Sequence, residues 1–137
     1  MAPQTSTHPQ PPLKILMLHG YTQSGPLFHA KTRALEKHFQ KSFPLHSVSL
    51  SYPTAPLPLS LSDIPGFLSS SSPASITETK DDYQPEAYAW WRRSSTANPT
   101  EYLGLDDAFE AVARVLTEEG PFDGVIGFSQ GAASRRL

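Results

Sequence analysis

The feature that most constrains the fold is an apolar run that leads directly into a turn of glycine, serine and glycine. Phe122 to Gly127 has the pattern of a buried strand, and Gly127 to Gly131 reads Gly-Phe-Ser-Gln-Gly. Gly-x-Ser-x-Gly between a strand and a helix is typical of a nucleophile elbow, a strained turn that projects the serine from the carboxyl edge of a parallel sheet. The pattern predicts an α/β fold with Ser129 as the candidate nucleophile. The alternative is an ordinary serine in a glycine-rich turn.

Apolar patterning upstream of this turn predicts two more strands and two helices. Lys14 to Leu18 is apolar after its lysine, as in a central parallel strand, and Leu45 to Leu50 alternates, as in a more exposed one. A Ser-Gly-Pro start predicts a helix over 26–40. Thr100 is the candidate cap of a second helix, which Gly120-Pro121 ends. The apolar stripe of that helix is predicted to be Tyr102, Leu105, Phe109, Val112, Ala113 and Leu116. The three strands are expected in the spatial order second, first, third.

Proline divides the chain into ordered and irregular parts, since 14 of the 137 residues are proline and the average share is only about 5%. Residues 1–12 have little to bury, so we expect a disordered leader, with the domain covering 13–137. Prolines break any helix between 53 and 99, where Ser69 to Ser72 is also of low complexity. We expect an irregular, lid-like insertion there, docked on the body through Tyr83, Tyr88, Trp90 and Trp91. Trp90-Trp91-Arg92-Arg93 is also suited to an anionic ligand, but docking is the preferred interpretation.

Composition excludes several functional classes. The balance of 11 Lys and Arg against 13 Asp and Glu gives a net charge of −2 and no electrostatic footprint for nucleic acid. The longest apolar run, Ile15 to Leu18, is too short to span a membrane. The lack of cysteine removes a disulfide framework, a thiolate zinc site and a cysteine nucleophile. We expect no nucleic-acid, membrane or metal partner, no secretory signal, and a location in the cytoplasm, with the nucleus as a second option.

A second candidate element of a catalytic site is His19-Gly20-Tyr21, which follows the first predicted strand. A tetrahedral intermediate needs two hydrogen-bond donors, and the backbone amides of Tyr21 and Gln130 are the natural pair. We interpret His19 as structural, because in this type of site the base follows the nucleophile in the chain. The loop from His19 to Gly25 lacks the glycine spacing of nucleotide-binding loops, so nucleotide binding is the weaker alternative.

Together these motifs resemble the FSH-type family of serine hydrolases, which are α/β-hydrolases of fungi and animals. The matching segments follow the family's order: Lys14 to Gly25, Trp90-Trp91, Tyr102 to Asp106 and Gly120 to Ala133. The resemblance implies an esterase or thioesterase that forms an acyl-enzyme on Ser129, uses the amides of Tyr21 and Gln130 as oxyanion donors and requires no cofactor. It implies a small-molecule or carrier-bound acyl ester or thioester as substrate, as for relatives in fungal secondary metabolism.

The sequence departs from the family pattern after the elbow. The resemblance places the catalytic acid and histidine on later strands and loops, and neither an Asp nor a His follows Ser129 in these 137 residues. We therefore expect a truncated α/β-hydrolase fold with impaired catalysis. Two interpretations of other classes stay open, namely a noncatalytic acyl-binding or interaction module and a nonfunctional truncated product. The last predicted strand would leave a sheet edge unpaired, so we also expect self-association.

Overall fold

A computed structural model describes residue 8 and residues 10–66, 86–96 and 98–134. Most of the predicted leader and the segment that holds Ser69 to Ser72 and Tyr83 lie outside the described residues. In chain order the elements are β1 (Leu13–Leu18), α1 (Gly25–Lys31), α2 (Arg33–Ser42), β2 (Val48–Ser51), β3 (Leu57–Pro58), a 3-10 turn (Leu61–Asp63), β4 (Tyr88–Ala89), β5 (Arg92–Arg93), β6 (Tyr102–Leu103), α3 (Leu105–Glu118), β7 (Gly124–Gly127) and α4 (Gln130–Ser134). No helix in these ranges has the length and apolar character needed to cross a membrane.

The centre of the fold is a three-stranded parallel sheet in the order β2-β1-β7. This confirms the predicted arrangement, with the second, first and third strands side by side. Residues 15 to 18 of β1 are buried because apolar clusters cover both of its faces. Leu16 and Leu18 pack with Trp90 on one face, and Ile15 and Met17 pack with Phe28 on the other. A strand covered on both faces must be continuously apolar, which explains the pattern.

The single helix predicted over 26–40 is wrong, because the structure has two helices that meet at Thr32. The hydroxyl of Thr32 donates to the carbonyl oxygen of Phe28 at 2.9 Å and lies 2.7 Å from the hydroxyl of Tyr52. A threonine that bonds back to the carbonyl four residues earlier tends to bend a helix. The predicted start is confirmed, since the Ser24 hydroxyl accepts from the amide of Leu27 at 3.2 Å.

The second strand begins at Val48 and not at Leu45 as predicted. A turn occupies the preceding residues, in which the amide of His46 donates to the carbonyl oxygen of Phe43 at 3.0 Å. Leu45 consequently stands 71% exposed outside the sheet. The alternation in 45–50 therefore includes one turn segment as well as the strand, and periodicity alone does not separate the two.

The long helix α3 begins at Leu105 instead of after Thr100, and it is rotated relative to the predicted stripe. Its cap is Gly104, whose left-handed backbone (φ 81°) ends the short strand β6. Predicted stripe members Tyr102, Phe109 and Leu116 are 39% to 56% exposed. Val112 of the predicted stripe does pack against the core, but its neighbours there are Ala108, Ala111 and Val115, which the stripe did not include. The apolar part of α3 is therefore wider than one stripe, and only its Ala108 side is covered by the described residues.

The described parts of the insertion predicted over 53–99 are more regular than expected. β3 pairs antiparallel with β4, and β5 pairs antiparallel with β6. A further bridge joins Tyr88 to Gln23, in the loop after β1. These short ribbons hold the segment around residue 90 against the carboxyl edge of the sheet. The lid-like character of the insertion stays a prediction.

In the described part of the chain, β7 pairs only with β1 and leaves one edge of the sheet open. Val125 on this strand is 38% exposed and Phe128 just after it is 55% exposed. We expect concentration-dependent self-association, because an open edge with apolar neighbours is a template for strand pairing. Sedimentation velocity over increasing concentration measures it, and Val125→Lys should suppress it. The matched change at the other edge, Ser49→Lys, serves as the control, and a monomer at all concentrations would contradict the expectation.

Candidate active site

Ser129 lies in a strained turn at the carboxyl end of β7. Its φ of 52° places it in the left-handed region, which costs energy for a residue other than glycine. The register of the sheet pairs Gly127 with Leu18, so β1 and β7 end side by side. The Ser129 side chain is exposed just past this edge. The backbone at Ser129 is therefore left-handed, and the residue is exposed beside the loop that follows β1. The assignment of this turn as a nucleophile elbow stays a prediction.

The two glycines of the motif are explained by close backbone contacts. A Cβ atom on Gly127 would lie 2.5 Å from the carbonyl oxygen of Gly131. A Cβ atom on Gly131 would lie 2.2 Å from the carbonyl oxygen of Leu18. The first glycine thus lets α4 fold back against β7, and the second lets α4 rest on the end of β1. Both contacts fix the position of Ser129 between them.

The loop after β1 touches the turn that carries Ser129. A Cβ atom on Gly20 would lie 2.9 Å from the ring of Phe128 and 3.3 Å from the Cβ of Ser129. Tyr21 is the next residue, so the structure brings Tyr21, Ser129 and Gln130 to one edge of the sheet. Amides next to these residues donate hydrogen bonds within the protein, and that of Gly131, for example, donates to the carbonyl oxygen of Phe128 at 2.9 Å. Within the described ranges, no acceptor is bonded to the backbone amides of Tyr21 and Gln130.

His19 is a buried structural residue and not a base aimed at Ser129. Its Nε2 accepts from the amide of Ala55 at 2.9 Å, so the proton belongs on Nδ1, which donates to the carbonyl oxygen of Gly20 at 2.8 Å. Burial lowers the pKa of His19 below its ordinary value, and the imidazole stays neutral. Both ring nitrogens are therefore occupied in holding the loop that contains Gly20 and Tyr21.

The side chain of Gln130 has a role that sequence analysis missed. Its Oε1 accepts from the amide of Trp90 and its Nε2 donates to the carbonyl oxygen of Trp91, both at 2.8 Å. This pair of bonds ties the first residue of α4 to the backbone of the aromatic segment, as a strand partner would. The sequence carries no signal for this contact, since the partners are 39 and 40 residues away. The sequence analysis predicted a role only for the backbone amide of Gln130, as an oxyanion donor.

Trp90 connects the same segment to the loop after β1. It is fully buried, and its Nε1 donates to the carbonyl oxygen of His19 at 2.9 Å. The indole and imidazole centroids are 5.3 Å apart. The segment around residue 90 is therefore docked on the loop after β1 through Trp90. Together with the Gln130 clamp, this contact joins three segments of the chain around Ser129.

Comparison with known proteins gives consistent matches over most of the chain. A family model described as "Serine hydrolase (FSH1)" matches residues 8–136. The chain is 37% identical to Esterase OVCA2 of Bos taurus over 93% of its own length and 55% of that protein. It is 36% identical to Family of serine hydrolases 3 of Saccharomyces cerevisiae over 87% of its length and 43% of that protein. An uncharacterized hydrolase of Schizosaccharomyces pombe is 38% identical over 86% of the chain and 26% of that protein. The chain thus spans about a quarter to just over half the length of these curated relatives.

Proposed function

The chain belongs to the FSH1 family of serine hydrolases, and on this premise we propose that it contributes the nucleophile and oxyanion hole of an esterase or thioesterase. Ser129 is the proposed nucleophile, and the amides of Tyr21 and Gln130 are the proposed oxyanion donors. The observation that carries the proposal is the contact between the strained Ser129 turn and the loop at Gly20. The proposal is further supported by the exposure of Ser129 and by the backbone amides of Tyr21 and Gln130, which no described residue uses as donors.

The proposed reaction begins with attack of the Ser129 Oγ on the acyl carbon of an ester or thioester. The new C–O bond forms as the carbonyl oxygen becomes an oxyanion, which the two amides stabilise by hydrogen bonding. Collapse breaks the bond to the alcohol or thiol, which leaves with the proton that Oγ has lost. Water then attacks the acyl-enzyme in the same way, releases the acid and returns the proton to Ser129.

The rate of this reaction is limited by its proton transfers, because the Ser129 hydroxyl needs a base to accept its proton. His19, which lies in the loop beside Ser129, is engaged on both ring nitrogens and does not act as its base. A serine hydroxyl without an adjacent base is a weak nucleophile. The oxyanion hole and substrate binding alone leave a residual acceleration of about 10³ to 10⁴ over water. We therefore propose slow acylation of Ser129 by this chain, with an acyl ester or thioester, small or carrier-bound, as the class of substrate.

The test is acylation of the purified chain by p-nitrophenyl acetate, followed by intact-protein mass spectrometry and by release of nitrophenolate. We expect slow formation of one acetyl adduct on Ser129 and no adduct in Ser129→Ala. Ser134→Ala, which changes the buried serine of α4, is the matched control and should retain acylation. Acylation that Ser129→Ala leaves unchanged would contradict the proposed nucleophile. Rapid Ser129-dependent turnover would contradict the proposed impairment.

A second candidate function is a noncatalytic acyl-binding module, which is favoured by the engagement of both ring nitrogens of His19, since this histidine cannot act as a base for Ser129. Such a module would bind a long-chain acyl ligand but would not react with a fluorophosphonate at Ser129. Labelling of the wild-type chain, compared with Ser129→Ala, separates the two candidates. Ser129-specific labelling favours the hydrolase, and ligand binding without labelling favours the module.

A further inference from the structure

We propose that a polar cavity beside Tyr21 is an anion subsite, which selects esters or thioesters that carry a carboxylate or phosphate group. The inference rests on the proposed function, because it assigns a substrate class to the same site. The cavity has a volume of about 360 Å³. Its lining includes Tyr21, Asp63, Arg92, Arg93, Ser95 and Thr96. Guanidinium and hydroxyl groups are the side chains that bind carboxylates and phosphates most readily.

The first arginine of the cavity is neutralised and held in place. Arg92 Nη1 lies 2.7 Å from Asp63 Oδ1. The other carboxylate oxygen of Asp63 accepts from the amide and hydroxyl of Ser60, at 3.0 and 2.7 Å. These bonds from Ser60, together with Arg92, lower the pKa of Asp63, so the carboxylate stays ionised. Arg92 and Asp63 therefore cancel in charge along one side of the cavity.

The second arginine, Arg93, supplies the net charge of the described lining, and it also lines a neighbouring pocket together with Thr100. In the part of the chain that the structure describes, no carboxylate lies within ion-pair distance of Arg93. Among the described residues, its guanidinium is bonded only to the hydroxyl of Thr100, at a long 3.3 Å. Most of its five donors therefore remain for a ligand. With Arg92 and Asp63 cancelled, the cavity carries one positive charge beside several hydroxyl groups.

Tyr21 links this cavity to the proposed catalytic serine. Its ring lines the cavity, and its hydroxyl donates to the carbonyl oxygen of Asp63 at 3.0 Å. Its backbone follows Gly20, which lies against the Cβ of Ser129. An anion in the cavity would thus lie against the same residue whose amide is the proposed oxyanion donor. We expect a substrate that carries a charged group beyond its acyl carbon to occupy both places.

The test compares acylation of Ser129 by a neutral probe, p-nitrophenyl acetate, and an anionic one, mono-p-nitrophenyl succinate. We expect the anionic probe to react about tenfold faster, as one charge-assisted hydrogen bond would give. Arg93→Gln should remove this preference, so that the anionic and the neutral probe react at similar rates. Arg33→Gln, an exposed arginine on α2, should keep the preference. Equal rates with both probes, or a preference that survives in Arg93→Gln, would overturn the subsite and leave the proposed function intact.

A binding measurement decides the subsite without relying on acylation. Calorimetric titration with inorganic phosphate and with succinate identifies which anion the cavity takes. We expect saturable binding of at least one of them, weakened about tenfold or more in Arg93→Gln and unchanged in Arg33→Gln. If neither ester acylates Ser129, the proposed function fails, and the titration still decides the subsite. Binding of neither anion, or equal binding by Arg93→Gln, would overturn it.

Discussion

Gly131→Ala is expected to lower the free energy of unfolding by about 3 kcal/mol or more, at the upper end of what an overpacked site costs. The added Cβ would lie 2.2 Å from the carbonyl oxygen of Leu18 and 2.5 Å from that of His19. Both are backbone atoms at the end of the central strand, so neither can turn aside as a side chain would. A native domain has only about 5–15 kcal/mol of stability in total. We therefore expect urea unfolding of this variant to have a much lower midpoint.

The same chain contains a matched control for this substitution. A Cβ on Gly124, on β7, would meet nothing within 4 Å. Gly124→Ala should therefore change the free energy of unfolding by no more than about 1 kcal/mol, which is the effect of replacing a glycine by itself. Far-UV circular dichroism follows both transitions. Equal midpoints for the two variants would show that α4 does not rest on β1 as described. If α4 shifts in Gly131→Ala, the turn at Ser129 shifts with it, and acylation of any folded protein should fall as well.

The strands of the central sheet and the turn at Ser129 could be predicted because the signal for each of them lies within a few consecutive residues. The apolar run of β1 indicates that the strand is buried on both faces. The two glycines on either side of Ser129 indicate close contacts of α4 with the backbones of β7 and β1. These signals require no knowledge of the partner segment. The predicted strand order agrees with the structure, in which β2 and β7 lie on either side of β1.

What the sequence did not reveal depends on contacts between distant residues. The helix break at Thr32 involves Tyr52, and the clamp of Gln130 involves Trp90 and Trp91. The rotation of α3 depends on which of its apolar residues fit against the sheet. The small Ala108 is buried there, whereas Phe109 stays partly exposed. Periodicity identifies an apolar face but not its centre when that face is wide.

Trp90→Ala is expected to destabilise the chain by about 3–5 kcal/mol, the usual cost of removing a large buried aromatic side chain. Trp90 is fully buried and packs with Leu16, Leu18 and Ala55 between the sheet and α3. Its removal leaves a cavity and also deprives the carbonyl oxygen of His19 of its donor. Trp91→Ala is the adjacent control and should cost less, because Trp91 is only partly buried. Circular dichroism during urea unfolding measures both variants without relying on indole fluorescence.

Trp90→Phe separates the two contributions of this side chain. Phenylalanine keeps much of the ring volume but has no N–H group, so the carbonyl oxygen of His19 loses its bond at a cost of about 1–3 kcal/mol. We expect Trp90→Phe to unfold between wild type and Trp90→Ala. If Trp90→Phe is as stable as wild type, the bond to His19 contributes nothing and packing alone holds the segment. If Trp90→Ala is also as stable, the aromatic segment is not docked as described. Because His19 holds the loop that carries Tyr21, a loosened Trp90 should also slow acylation of Ser129 in protein that remains folded.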